Sequence, residues 1–391
     1  MHLVFVTSLV PDGAPSTGYE IANAAIIAAL RRRGVQVTVL GYVRPGRKPV
    51  DPQDTIVLGE LDPATDKASP ALKLRWLATS MSTGLTVSSA KLRVLSDDDF
   101  RRALASAGPA DGYVLNAVQM SAAYEAALRD RPAIYVAHNV EHLSARESAR
   151  TAPGAVRRLL FAREARLLEA IENRLCRNAR FVFTLAEDDR HALAVSAPDR
   201  SAVLPLVTRS RAAAPAGKRT IRRDAGLIGT WTWQPNRIGL EWFLEKVTPH
   251  LAAGFSVAVA GSTPRDLPAR FPNVRFLGRV EDADEFVRSS AMIPLVSRAG
   301  TGVQLKTIET FELGIPAVAT ASALRGIAMV PENCIGADEP KAFARAMMDL
   351  ACRDDRDVDG SVFFRAQMHG LDAAVATGLE ALAPGRQAVP A

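Results

Sequence analysis

A chain of 391 residues has room for two or three domains, and its 48% hydrophobic and 23% charged residues match a globular protein with a full core. No run of about 18 apolar residues occurs, which excludes a membrane-spanning helix. The three cysteines, Cys176, Cys334 and Cys352, lie far apart and make neither a metal spacing nor a disulfide framework, as suits a reducing cytoplasm. The net charge of +6 would attract an anionic membrane surface, a nucleotide or nucleic acid. Aromatics make up only 6% and no basic cluster is interleaved with them, which argues against a nucleic-acid partner.

The apolar start of the chain lacks a basic n-region and reads as a first strand rather than a signal peptide, over residues 2–8. A loop to Gly18, a helix over 19–33 closed by Gly34, and a strand over 35–40 make a βαβ opening, which implies a parallel sheet. The loop is not a G-x-G-x-x-G fingerprint, so a nicotinamide enzyme loses its best support. Residues 44–97 are the least legible. Residues 45–63 read as loop around the apolar patch 55–58, and a helix is expected over 71–81. A helix over 97–107 and a strand over 112–115 follow.

Residues 133–137 form a strand, and His138-Asn139-Val140-Glu141-His142 follows at its C-terminal end, where ligands of open α/β sheets sit. The four-residue spacing of His138 and His142 suits a metal pair. It falls in a loop with no evident third ligand, so no metal is expected. A charged helix over 157–177 alternates Arg with Glu, mostly a solvated face, its basic residues also suiting a membrane surface. A strand over 181–185 follows. Residues 208–224 shift to Arg, Ser, Ala, Pro and Gly and read as an interdomain linker. A second βα series then begins at 225–229, with a loop over 230–236, a helix over 237–247, and strands over 255–261, 274–278 and 291–295. Asn236 is placed to cap that helix.

Residues 298–320 organise the second series. Gly300 and Gly302 bracket Thr301 in a loop where backbone approaches a ligand closely. A helix is expected from Val303 to Leu313, ended by Gly314 and Pro316, then a strand over 317–319. A Gly-rich loop opening a helix is an anion site, because free N–H groups and the positive dipole end face the ligand. Lys306 and Glu309 lie three apart on that helix. A cation beside helix N–H groups suits a diphosphate, and a carboxylate suits a ribose diol. The alternative for the pair is an exposed ion pair and a mere turn. Helices over 340–351 and 363–382 complete the chain.

The run G-T-G-V-Q-L-K-T-I-E-T-F-E-L-G-I-P-A-V resembles the donor-binding segment of family 4-like retaining glycosyltransferases of GT-B architecture. So do H-N-V-E-H at 138–142, the Arg-rich helix, and the P-N turn at 235–236. The family has two Glu with seven residues between them. Glu309 matches the second, while Thr301 stands at the first, as in a sub-branch with a G-x-G-x-x-L-K-x-x-E loop.

The resemblance implies two Rossmann-like, doubly wound parallel-sheet domains facing a cleft. The expected acceptor-side domain spans 1–207 and the nucleotide-sugar domain 225–365, with a helix about 366–383 crossing back. It places Glu309 on the donor ribose, and Lys306 and Arg298 on the diphosphate, aided by N–H groups of Gly300, Thr301, Gly302 and Val303. Gly229 and Asn236 would lie near phosphate, Val280 by the base, and His138 against the sugar. Gly18, Glu141 and His142 would lie on the phosphate or acceptor side. The implied activity is sugar transfer from a nucleotide-sugar to a glycan or lipid-linked acceptor, with retention, in cell-envelope or exopolysaccharide biosynthesis. No metal or other cofactor is implied. The setting would be the cytoplasm, at the inner face of the membrane if lipid is the acceptor. The rivals are a nucleotide-sugar epimerase of the same architecture and a non-catalytic nucleotide-sugar-binding scaffold.

Overall fold

The computed structural model describes residues 1–13, 17–63, 68–214, 219–353 and 357–383. The chain divides into two compact units, Met1–Leu204 with the chain from Gly370, and Pro205–His369. Each is an open parallel sheet, and the two together are the GT-B architecture.

The first unit holds β1 (His2–Leu9), β2 (Gln36–Val43), β3 (Thr55–Glu60), β4 (Gly112–Asn116), β5 (Ala133–Ala137), β6 (Phe181–Thr184) and β7 (Ser201–Val203), in the order β3-β2-β1-β4-β5-β6-β7. Every neighbouring pair is parallel. The central strands β4, β5 and β6 are buried at every position, as they must be with helices on both faces. The order reverses between β1 and β4, so a switch point lies there. Residues 45–63, expected as loop, contain the edge strand β3. Only Leu58 of that strand is buried, so its apolar signal is short. Glu141, expected in a loop, opens the helix Glu141–Thr151.

The second unit holds β8 (Arg223–Ile228), β9 (Val257–Ala260), β10 (Arg275–Gly278), β11 (Ser290–Leu295), β12 (Ala317–Ala319) and β13 (Cys334–Gly336), in the order β10-β9-β8-β11-β12-β13, again parallel throughout. Its switch point falls between β8 and β11. The residues read as a linker, 208–224, fall in this unit, and β8 starts within them at Arg223. Their arginines have partners. Arg209 grips Asp284 through two bonds of 2.6 and 2.7 Å. Arg219 grips Asp357 and the Arg288 and Ser290 carbonyls. A polar composition signals a linker only when its charges are solvated, and those of Arg209 and Arg219 are held by partners.

The helix Gly360–Leu382 supplies residues to both units. In the second, Phe363 meets the Phe311 ring edge-on with centroids 5.3 Å apart. In the first, Leu371 and Val375 are fully buried, and Asp372 accepts from Arg32 at 2.6 Å.

Candidate functional site

In the second unit the chain leaves β11 through Arg298 and turns at Gly300 (φ 90°) and Gly302 (φ 86°), left-handed conformations that favour glycine. Gln304 is still extended, and the helix runs Leu305–Glu312 rather than from Val303. The left-handed turn at Gly302 delays it. Among the described residues no side chain caps that helix start, so its first N–H groups have no side-chain acceptor there. Thr307 anchors the helix by donating to the Ala323 carbonyl at 2.9 Å.

Lys306 rises from the first turn and lies 5.0 Å over the ring of Trp231. Trp231 is buried just after β8 and donates its indole N–H to the Ala260 carbonyl at 2.8 Å. Gly229 packs beside the same ring. Among the described residues no carboxylate pairs with Lys306, and burial alone lowers its ammonium to about 8. Glu309 instead lies 3.8 Å from the Arg209 guanidinium, and burial raises its carboxyl above the usual range. Lys306 and Glu309 therefore do not form the exposed ion pair that their spacing allows. One turn on, fully buried Glu312 accepts from the Thr208 N–H at 2.9 Å and from the Thr208 hydroxyl, and burial pushes it up to about 7.

The other expected donor residues are spread more widely. Arg298 stacks 4.6 Å over Trp242 and donates to the Asp338 carbonyl at 3.2 Å. Asn236 does not cap: Trp233 holds that position, and Asn236, in the first turn, donates back to the Thr230 carbonyl at 3.1 Å. The proline at the second helical position sets the helix start one turn earlier than Asn236 requires. Val280 is half-buried beyond β10, two strands away from β8. Thr301 is half-buried in the glycine turn.

In the first unit, polar side chains meet at the switch point. His138, just past β5, is buried, and its Nε2 lies 2.8 Å from Asn116 Oδ1 at the end of β4. Its ring packs on Tyr19 with centroids 4.9 Å apart, and burial lowers it to about 4, so it is neutral at pH 7. Asn116 also reaches Asn23, Tyr19 and, in β1, Thr7. The next residue, Ala117, holds φ at 69°, a conformation costing about 1–3 kcal/mol for a residue with a side chain.

Four residues on, His142 turns elsewhere. Its Nδ1 lies 2.7 Å from the buried Glu172 carboxylate, which also accepts the main-chain N–H groups of Glu141 and His142 at 2.8 and 3.2 Å. Glu172 thus caps the Glu141–Thr151 helix from the side, and the two histidines do not converge as a metal pair. Burial and Glu172 raise the Glu141 carboxyl. Gly18 is the first residue of the helix Gly18–Arg32, behind a capping box between Thr17 and Glu20. Part of its loop, 14–16, lies outside the described residues.

Composition hid Arg209 in a supposed linker. Asn116 is a lone amide at a strand end, with no spacing to mark it. Trp231 and Glu172 were visible only as an aromatic in a loop and one acid among many.

Two open parallel sheets in these strand orders are the GT-B fold. Residues 222–353 match a family model described as "Glycosyl transferases group 1". No protein of curated function matches the chain by sequence. Solved structures share the fold along nearly its whole length. HepE of Anabaena in complex with UDP is 13% identical, covers 97% of this chain and 98% of its own, and has a TM-score of 0.56. Sucrose-phosphate synthase of Thermosynechococcus elongatus is 14% identical, with coverage of 97% and 96% and a TM-score of 0.63. WaaG, a glycosyltransferase involved in lipopolysaccharide biosynthesis, is 15% identical, with coverage of 97% and 98% and a TM-score of 0.53. The chain thus has the GT-B fold, and its second unit matches a glycosyl transferase group 1 model.

Proposed function

We propose that the chain transfers a sugar, with retention, from a nucleotide-sugar to a saccharide or lipid-linked acceptor in cell-envelope or exopolysaccharide biosynthesis. One observation carries the reading: Lys306 is a half-buried cation with no carboxylate partner among the described residues, beside an uncapped helix start and a left-handed glycine turn. That combination favours an anion of high charge density, and a diphosphate is one. Glu309, one turn further, would accept the two ribose hydroxyls. Lys306 and the loop N–H groups would stabilise the leaving diphosphate as the glycosidic bond breaks, and that phosphate would take the acceptor proton. Arg298 enters the diphosphate site only by exchanging its Asp338 and Trp242 contacts, so Lys306 is the primary cation of this reading.

The HepE complexes with UDP and UDP-glucose favour a uridine donor. A thermal-shift screen of UDP, GDP, ADP and dTDP tests this, since stabilisation grows with ligand concentration over Kd. No shift with any of them in the millimolar range would defeat the reading. Glu309→Ala should weaken binding of the selected nucleotide by about 1–3 kcal/mol by calorimetry. Product analysis with the nucleotide-sugar then separates transfer from epimerisation.

Membrane contact at the cytoplasmic face fits a surface on the first unit. The helix Pro70–Thr83 contains no acidic residue and points Leu74 (67% exposed) and Met81 (59%) away from buried Trp76, with Lys73 and Arg75 flanking. Arg163 ties it to the helix Ala155–Asn178, whose start exposes Val156 and Leu159 beside Arg157 and Arg158. Exposed apolar groups among basic ones suit an anionic lipid surface. Sedimentation with phosphatidylglycerol vesicles but not phosphatidylcholine vesicles is expected, and should be lost in Leu74→Glu/Leu159→Glu; equal recovery in the pellet for both lipids would refute it.

A further inference from the structure

We propose that Asn116 is a positioning residue that holds His138 in a single tautomer, with its proton on Nε2 and its lone pair on Nδ1. The argument is a proton count along one hydrogen-bonded chain. Thr7 Oγ1 lies 3.2 Å from the Leu9 carbonyl, 2.8 Å from the Tyr19 hydroxyl and 3.1 Å from Asn23 Nδ2. Asn116 Nδ2 lies 2.7 Å from Asn23 Oδ1 and 2.9 Å from the Tyr19 hydroxyl. The two hydroxyls hold one proton each.

With both amides as assigned, each of these contacts has a proton, and only the longer ones go without, Asn116 Nδ2 to Thr7 at 3.3 Å and the Tyr19 hydroxyl to the Asn116 carbonyl at 3.4 Å. Thr7 donates to the Leu9 carbonyl, Tyr19 to Thr7, Asn23 to Thr7, and Asn116 to Asn23 and Tyr19. Turning both amides over would make Thr7 donate to Asn23, leaving the Leu9 carbonyl without its donor. Tyr19 would then have two acceptors, Thr7 and Asn116, for one proton. Turning over either amide alone sets like atoms of Asn23 and Asn116 against each other at 2.7 Å. Only the first assignment balances, and it faces Asn116 Oδ1 toward His138. An amide oxygen cannot donate, so Nε2 must.

The chemistry of this position follows. A neutral imidazole with its lone pair on Nδ1 accepts a hydrogen bond there, so whatever meets Nδ1 must be a donor. It is unsuited to a phosphate oxygen. The main-chain strain at Ala117 lies next to Asn116, as expected where a neighbouring side chain must be aimed. His142 carries the opposite arrangement, with Nδ1 facing Glu172.

The tautomer does not depend on the proposed reaction, whereas its effect on turnover does. The test is nitrogen-proton correlation spectroscopy of the full chain with 15N-labelled histidine near neutral pH, with His138→Gln to assign the ring among the six histidines. A pyrrole-like Nε2 and a pyridine-like Nδ1 are expected. The reverse pattern, or a mixture in the unaltered protein, overturns the proposal whatever the variants do. Asn116→Leu should populate both forms, and Asn116→Asp, which keeps an acceptor, should restore one. Sugar-transfer kcat should fall about tenfold or more in Asn116→Leu and recover in part in Asn116→Asp. Calorimetric affinity for the donor nucleotide should stay within twofold, which separates this effect from failure of the donor-site reading.

Discussion

Lys306 and His138 lie at the switch points of the two sheets, and burial disfavours the charged form of each. For Lys306 the sign of the consequence is fixed. Burial depresses its pKa to about 8, and a bound diphosphate would raise it. Between those values the complex holds more protons than the free protein, so nucleotide-diphosphate binding at about pH 8.5 should take up most of one proton, about three-quarters. Calorimetry in buffers of different ionisation enthalpy measures this. Uptake should vanish in Lys306→Met, and its persistence there would move the charge elsewhere. Such residues were unevenly legible in the sequence. Lys306 and Glu309 stand at a spacing that a helix reads as one face, so they showed. Asn116 acts through bonds to Thr7, Tyr19 and Asn23, up to 109 positions away, and no local pattern reports such a meeting.

At the scale of elements, buried parallel strands are apolar runs with sharp ends, which is why β1, β2, β5, β6 and β11 could be read directly. The edge strand β3 has a single buried side chain and looked like loop. The linker reading of 208–224 failed to anticipate that its arginines bind Asp284, Asp357 and main-chain carbonyls, because composition does not say whether a charge is solvated. The donor loop depends on a close approach between elements. Gly239, in the helix Gln234–Trp242, has no room for a side chain, since a methyl group there would overlap the Val296 carbonyl at the end of β11. Gly239→Ala should cost about 1–3 kcal/mol of stability in urea unfolding. It should also weaken nucleotide binding, because it displaces the strand end from which residues 298–304 depart. Unchanged unfolding would mean that the helix shifts freely.

For the whole molecule, the chain leaves the first unit once, at Leu204, and returns to it at Gly370. Truncation before Gly370 should destabilise the first unit, because Leu371 and Val375 are fully buried in it, each contributing about 1.5–3 kcal/mol. Gly378 also packs so closely on the Phe183 ring that a methyl group would overlap it. The truncated chain should keep its nucleotide-dependent stabilisation. Loss of nucleotide binding with an intact first unit would contradict the assignment of the donor residues to the second. The indole beneath Lys306 has a practical use. Placing negative charge on that ammonium alters the field over Trp231, so its emission should report occupancy directly, without label or coupled enzyme, and fall silent in Trp231→Phe.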